Sequence, residues 1–130
     1  DEFKRDEGRF QAMSDQEPGD NLGISVAISG SYMIAGAWWE ERPGTPEEGL
    51  TSAGAAYLYK LQANGTWVQT QKLESPHREI LGYYGFYVAM AGDYAMVGAF
   101  NEDHDETVNA GANAGLVYAY HRNANDVWVL

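Results

Sequence analysis

Two fifteen-residue stretches decide the fold: GISVAISGSYMIAGA at residues 23–37 and GFYVAMAGDYAMVGA at residues 85–99. They are identical at seven of the fifteen positions when the chain is shifted against itself by 62 residues. A shift of 61 residues then continues the match through Tyr57/Tyr118 and Trp67/Trp128. The one-residue slip falls in a loop, where insertions cost least. Self-similarity at a fixed spacing indicates tandem copies of one supersecondary unit.

Each copy contains four short apolar segments separated by turn residues such as Gly30-Ser31 and Asn64-Gly65, which is typical of antiparallel hairpins. The predicted strands, four in each copy, are Ile24–Ser29, Tyr32–Ala37, Ala55–Lys60, Thr66–Leu73, Phe86–Ala91, Tyr94–Ala99, Leu116–His121 and Val127–Leu130. The first three strands of a copy are apolar on both faces, and the fourth turns polar like an outer edge. The pattern predicts an all-β chain of two four-stranded antiparallel β-propeller blades. A plain β-sandwich made from a duplicated hairpin pair is the alternative.

The repeat divides the chain into three parts. Residues 1–19 are predicted to form an N-terminal segment with a blade-ending strand, because Gln11-Ala12-Met13 corresponds to Gln71-Lys72-Leu73 at the end of the first copy. Residues 20–73 form the first blade repeat, and residues 74–130 form the second.

Two short segments in each copy resemble the FG-GAP repeat of integrin-type propellers. They are Leu22-Gly23 and Ile34-Ala35-Gly36-Ala37 in the first copy, and Tyr84-Gly85 and Gly98-Ala99-Phe100 in the second. The Phe and the Pro of the family's pattern are both replaced here. The resemblance covers residues 20–130 and implies an extracellular or cell-surface adhesion and recognition protein. Since two blades cannot close a ring, it also implies that other chains, or further sequence, complete a ring or a fibre.

Composition disfavours several functions. A net charge of −11 opposes binding to nucleic-acid phosphates, and no apolar run is long enough to span a membrane. The chain has no cysteine nucleophile and no Gly-x-Ser-x-Gly elbow. We therefore expect a chain without catalytic residues, nucleic-acid partner or membrane span.

Four long loops, at residues 14–22, 38–53, 74–84 and 100–114, are expected on one face and hold most of the nineteen acidic residues. Trp38 and Trp39 stand there beside Glu40 and Glu41. Exposed aromatic rings next to carboxylates suit a glycan or a protein ligand. The alternative is that the two tryptophans pack against an adjacent blade or subunit.

Calcium is the one cofactor that the loops suggest. Asn101, Asp103 and Asp105 are spaced two apart, as oxygen ligands of calcium often are, although a solvated acidic loop is the alternative. The integrin-type Asp-x-Asp-x-Asp-Gly loop is absent. Asn64-Gly65-Thr66 is a glycosylation sequon at a predicted hairpin tip, and Asn-Gly is also the preferred pair for such a turn.

The first functional hypothesis is a structural module that self-associates into a homo-oligomer or a filament. Its blades would pack between chains, and the terminal strands would exchange head to tail through Phe10, Met13, Trp128 and Leu130. The second hypothesis is a recognition propeller that binds a glycan, a protein or calcium through the acidic loop face.

Overall fold

The computed structural model describes residues 21–39, 53–76, 82–102 and 115–130. Within these ranges all regular secondary structure is β, in eight strands. The strands are β1 (Leu22–Ser29), β2 (Tyr32–Ala37), β3 (Ala55–Leu61), β4 (Trp67–Leu73), β5 (Tyr84–Ala91), β6 (Tyr94–Ala99), β7 (Leu116–Arg122) and β8 (Trp128–Val129).

Each sequence repeat forms its own sheet. The strand orders are β1-β2-β3-β4 and β5-β6-β7-β8, and all neighbours are antiparallel. Two separate four-stranded meanders confirm the prediction of two propeller-type blades. We call β1–β4 blade 1 and β5–β8 blade 2.

The first strand of each blade starts two residues before its predicted position, because a bulge carries the pairing past a glycine. Leu22 pairs with Ala37 and Ser25 pairs with Gly36, so that two residues of β1 have no partner. One of them, Gly23, has a φ of 92°, and its repeat equivalent Gly85 has a φ of 90°. Residues with side chains rarely adopt this backbone conformation, which explains a glycine at both bulges.

The main core lies between the two blades. Ile34 and Leu58 of blade 1 pack in one cluster with Val97, Tyr118 and Trp128 of blade 2. Complete burial of an aliphatic side chain contributes about 1.5–3 kcal/mol, so this shared cluster is the chief reason for the two sheets to adhere. A second cluster, which includes Tyr57 and Tyr59, lies on the other side of blade 1.

A buried polar network ties the long-loop end of blade 2 to the end of β4. Tyr118 donates a hydrogen bond to Glu102 at 2.5 Å, and Ser75 lies 3.1 Å from the same phenol oxygen. The Tyr84 and Tyr120 hydroxyls are 2.5 Å apart. Burial, helped by the hydrogen bond to Glu102, raises the pKa of Tyr118 to about 12. The sequence placed Glu102 among the acids of a solvated loop face, but the residue is completely buried.

Candidate functional site

Blade 2 presents one broad apolar face to solvent. Its large side chains are Tyr87, Tyr94, Met96 and Val117, which are between 51% and 69% exposed. Soluble monomers rarely expose a contiguous surface of this kind unless it binds something. We call it the open face.

The strand register arranges the open face in three rows that cross β5, β6 and β7. The rows are Tyr87–Gly98–Val117, Ala89–Met96–Ala119 and Ala91–Tyr94–His121. In the first row Gly98 lies between two bulky neighbours, which leaves a depression at its centre. Phe100 and Gly115 extend this depression into an apolar groove of about 380 Å³.

The repeat equivalent of the open face exists in blade 1 and is buried. Its rows are Ser25–Gly36–Ala56, Ala27–Ile34–Leu58 and Ser29–Tyr32–Lys60. The register is the same as in blade 2, row by row. Ile34, Ala56 and Leu58 of this face are completely buried in the cluster shared with blade 2. We call it the covered face, because blade 2 lies on it.

Blade 2 approaches the covered face through backbone as well as side chains. A Cβ atom built on Gly36 would lie only 1.8 Å from the carbonyl oxygen of Gly85, and one built on Gly54 would lie 1.9 Å from that of Tyr84. Ser25 Oγ accepts a 3.0 Å hydrogen bond from the Val88 N–H. Glycine is therefore required where the backbone of β5 crosses blade 1.

At the short-turn end of the interface a charged cluster joins the blades. Asp126 of blade 2 accepts hydrogen bonds from Tyr32 at 2.7 Å, from Arg122 at 2.6 Å, and from Lys60. The Arg122 guanidinium lies 4.5 Å from the centre of the Tyr32 ring and also binds Asp93. The hydrogen bonds from Lys60, Tyr32 and Arg122 hold the pKa of Asp126 well below its usual range.

We expect Asp126→Asn to remove an acid-dependent part of the stability. Because folding lowers the pKa of Asp126, its ionised carboxylate stabilises the folded protein at pH values above the unfolded-state pKa of about 4. This contribution is lost as the pH falls from about 4 toward the lower pKa of the folded state. Asparagine tolerates the φ of 64° at this position, so the substitution tests the charge. Urea unfolding from pH 6 to pH 2 should show a stability difference between wild type and variant that is constant above about pH 5 and shrinks below pH 4.

Asp93→Asn is the matched control, since it also removes one carboxylate that binds Arg122. Because Asp126 binds Tyr32 and Lys60 as well as Arg122, we expect Asp93→Asn to lower the stability at pH 6 by less than Asp126→Asn does. A difference for Asp126→Asn that stays constant down to pH 2 would contradict the assignment.

Trp38 and Trp39 are half-buried and join the blades through aromatic contacts. The Trp38 ring lies 5.1 Å from Tyr83 and 5.3 Å from Phe86, both from the second repeat, and 4.8 Å from Trp39. These contacts agree with the alternative in which the two tryptophans pack against an adjacent blade. Glu40 and Glu41 lie outside the described residues, so the glycan or protein site stays a prediction.

The predicted calcium loop lies mostly outside the described residues. Asn101 is described and donates its backbone N–H to Gly82 O at 3.3 Å, whereas Asp103 and Asp105 are not described. An integrin-type calcium loop would lie in the turn between the first two strands of a blade. In both blades this turn has only two residues, and Asp93 in the second one binds Arg122. Those turns do not fit calcium. No group of three or more acidic or histidine residues close enough for a metal occurs in the described ranges.

Asn64 lies exposed at the tip of the hairpin between β3 and β4. Its side-chain oxygen accepts hydrogen bonds from the Thr66 N–H at 3.1 Å and from the Thr66 hydroxyl at 2.6 Å. This local turn accounts for the residue pair, and glycosylation of Asn64 stays a prediction.

The residues predicted to take part in strand exchange are placed differently from one another. Trp128 is buried, 2% exposed, and its ring packs edge-on against Tyr32 at 5.8 Å. Leu130 is 70% exposed. Phe10 and Met13 lie outside the described residues, so strand exchange stays a prediction.

Sequence reasoning missed the charged cluster around Asp126 and the two glycines, Gly36 and Gly54, against which the β5 backbone packs. A comparison of the two repeats bears on both features. Gly36 and Gly54 recur as Gly98 and Gly115, whereas Gly65 is replaced in the second repeat by Asp126.

A family model described as FG-GAP repeat matches residues 5–59 and 67–120, which together make up most of the chain. The second match begins at Trp67, the first residue of β4. No curated protein matches the chain. In the described ranges no helix has the length and apolar character to cross a membrane.

Proposed function

Since this chain belongs to the FG-GAP repeat family, we propose that it is a non-catalytic extracellular assembly module whose open face binds a further blade. FG-GAP repeats are typical of propeller-type adhesion and recognition modules of the cell surface, a family that is generally non-catalytic. One observation carries the finer proposal. The open face of blade 2 repeats, row by row, the face of blade 1 that binds blade 2.

The size of the open face supports a weak association. Tyr87, Met96 and Val117 are 51–69% exposed, so burial of the remaining surface contributes about that fraction of the 1.5–3 kcal/mol for a whole side chain, roughly 3–5 kcal/mol in all. Association of two proteins costs about 4–15 kcal/mol in lost freedom, so side-chain burial alone offsets only part of that range. We therefore expect association that depends strongly on concentration. The net charge of −11 opposes contact between copies, and added salt should strengthen it by screening.

The aromatic cluster around Trp38 supports the same function. Phe86 contacts Trp38 at 5.3 Å and also contacts Phe100 and Tyr87, each at 4.8 Å. The rings thus lead from the inter-blade contact to the open face. This continuity favours a packing role for Trp38 over a separate recognition site.

The first test of assembly is Val117→Glu. A carboxylate in the centre of the open face would be buried without a partner in the complex, which we expect to weaken association at least ten-fold. Sedimentation equilibrium over a wide concentration range at 0.15–0.5 M salt should show wild type associating and the variant staying at the monomer mass. Ala63→Glu adds the same charge at the exposed tip of the β3–β4 hairpin and should associate like wild type.

Wild-type protein that stays monomeric at every concentration would refute the proposed function. Equal association of wild type and Val117→Glu would also refute it, because contact would then not involve the open face.

A further inference from the structure

We infer that the open face binds the open face of a second copy of this chain, in a two-fold dimer whose axis crosses β6 between Met96 and Gly98. This inference rests on the proposed function, that the open face binds a further blade, and names that blade as blade 2 of the second copy. It follows from which blade faces are accessible and from the shape of the open face.

Among the described residues, the open face is the one sheet face that is accessible on three neighbouring strands. The covered face of blade 1 and the face of blade 2 that lies on it are buried together in the shared cluster. On the remaining face, the other side of blade 1, four side chains of β2 and β3 are at most 2% exposed, namely Ala35, Ala37, Tyr57 and Tyr59. Only β1 contributes well-exposed side chains there, such as Val26 at 61%. A second copy therefore presents a broad blade face only through its own open face.

The shape of the open face is complementary to itself. In the row Tyr87–Gly98–Val117, two bulky side chains flank the depression at the glycine. In the next row, Ala89–Met96–Ala119, two small side chains flank a bulky one. The two neighbouring rows thus have opposite profiles across β5, β6 and β7. The first row of one copy fits against the second row of another.

A single two-fold rotation brings both pairs of rows together. Its axis lies in the plane of the contact, perpendicular to the strands and midway between the two rows, so that Gly98 of each copy lies opposite Met96 of the other. The same rotation places Tyr87 opposite Ala89, and the bulky and small residues of β7 face each other in the same way. The strands of the two sheets are then nearly aligned, which is a common geometry for sheets packed face to face.

The open face also carries little charge, although the chain is strongly acidic. None of the nine residues in its three rows is Asp, Glu, Lys or Arg, whereas the whole chain has a net charge of −11. Contact through these rows therefore buries none of their side chains as an unpaired charge. Each dimer buries the exposed apolar side chains of both copies, which is twice the apolar surface that one open face supplies. Because a two-fold contact closes on itself, we expect association to stop at the dimer.

Two single-cysteine variants test this arrangement, since the chain has no cysteine of its own. Ala89 and Ala91 are both exposed and belong to successive rows of the open face. Because rows are about 7 Å apart along a strand, the two Ala89 residues of a dimer are offset by about 7 Å and the two Ala91 residues by about 20 Å. We expect Ala89→Cys, treated alone with a short bismaleimide reagent, to give at least ten-fold more covalent dimer than Ala91→Cys, its matched control.

A third variant separates the open face from the exposed side chains of β1. Val26→Glu places a carboxylate on β1, away from the open face, and should associate like wild type. If Val26→Glu instead prevents association, the contact involves β1 and the inference is overturned.

Sedimentation equilibrium of the unmodified chain and of these variants separates this inference from the function on which it rests. Association that ends at the dimer mass, with cross-linking of Ala89→Cys far above that of Ala91→Cys, supports the two-fold contact. Association beyond the dimer overturns it, as does association in which the two cysteine variants cross-link equally or not at all. If the unmodified chain does not associate, the proposed function itself fails, and this inference fails with it.

Discussion

Replacing Gly36 by alanine is expected to lower the free energy of unfolding by more than about 3 kcal/mol, which would unfold a substantial part of a marginally stable protein. The added Cβ would lie 1.8 Å from the oxygen and 2.8 Å from the carbon of the Gly85 carbonyl group. Both atoms belong to the backbone, so no flexible side chain can move aside. The two sheets would have to separate, and the core between them would lose contacts.

Gly98→Ala is the matched control at the repeat-equivalent position. Its Cβ would meet the Tyr87 Cβ at 3.3 Å, a contact that a small shift relieves. Alanine also restricts the unfolded chain, which favours folding by about 0.4–1 kcal/mol, so the net change should be small. Urea unfolding at concentrations too low for association should show a large loss for Gly36→Ala and little change for Gly98→Ala. Equal midpoints would show that the blades do not touch at Gly36.

The second large effect is expected for Trp128→Ala, at about 3–5 kcal/mol of unfolding free energy. Strand β8 has only two residues, yet the Trp128 ring is buried and packs edge-on against Tyr32. The Gln71 side chain also binds the Trp128 backbone twice, donating to its carbonyl oxygen at 2.8 Å and accepting from its N–H at 2.9 Å. The loss of the ring would leave a cavity between the blades.

Leu130→Ala is the control, because Leu130 is 70% exposed and its truncation should change stability by less than about 0.5 kcal/mol. Thermal unfolding followed by circular dichroism would distinguish the two variants. If Trp128→Ala weakened association between copies but left the unfolding free energy unchanged, Trp128 would act between chains, as the strand-exchange hypothesis requires.

The sequence predicted the strands well because their signals are local. Short apolar segments bounded by tight turns define the strands of each repeat, and β2 and β6 have the predicted bounds. The third strand of each blade extends one residue further than predicted, because Leu61 and Arg122 still pair with the fourth strand. The early starts at Leu22 and Tyr84 were missed because a glycine is usually taken to end a strand, whereas here it forms a bulge inside the pairing.

The candidate site was less accessible to sequence reasoning. Trp38 and Trp39 stood out as exposed aromatics, but their neighbours Tyr83 and Phe86 come from the other repeat, and only the packing of the two blades brings these rings together. Glu102 looked like one more acid of a solvated loop, and its burial against Tyr118 depends on a contact sixteen residues away along the chain. Neither contact leaves a periodic signal.

The sequence by itself determined the repeat, the two four-stranded sheets and the family, because periodicity and turn chemistry act within a few residues along the chain. Only the tertiary structure decided which faces meet and which stay open. Both faces of each blade are apolar, so composition cannot tell the covered face with Ile34 from the open face with Met96. The distinction depends on backbone atoms that come close at Gly36 and Gly85, and on a carboxylate, Asp126, that reaches across from one blade to the other.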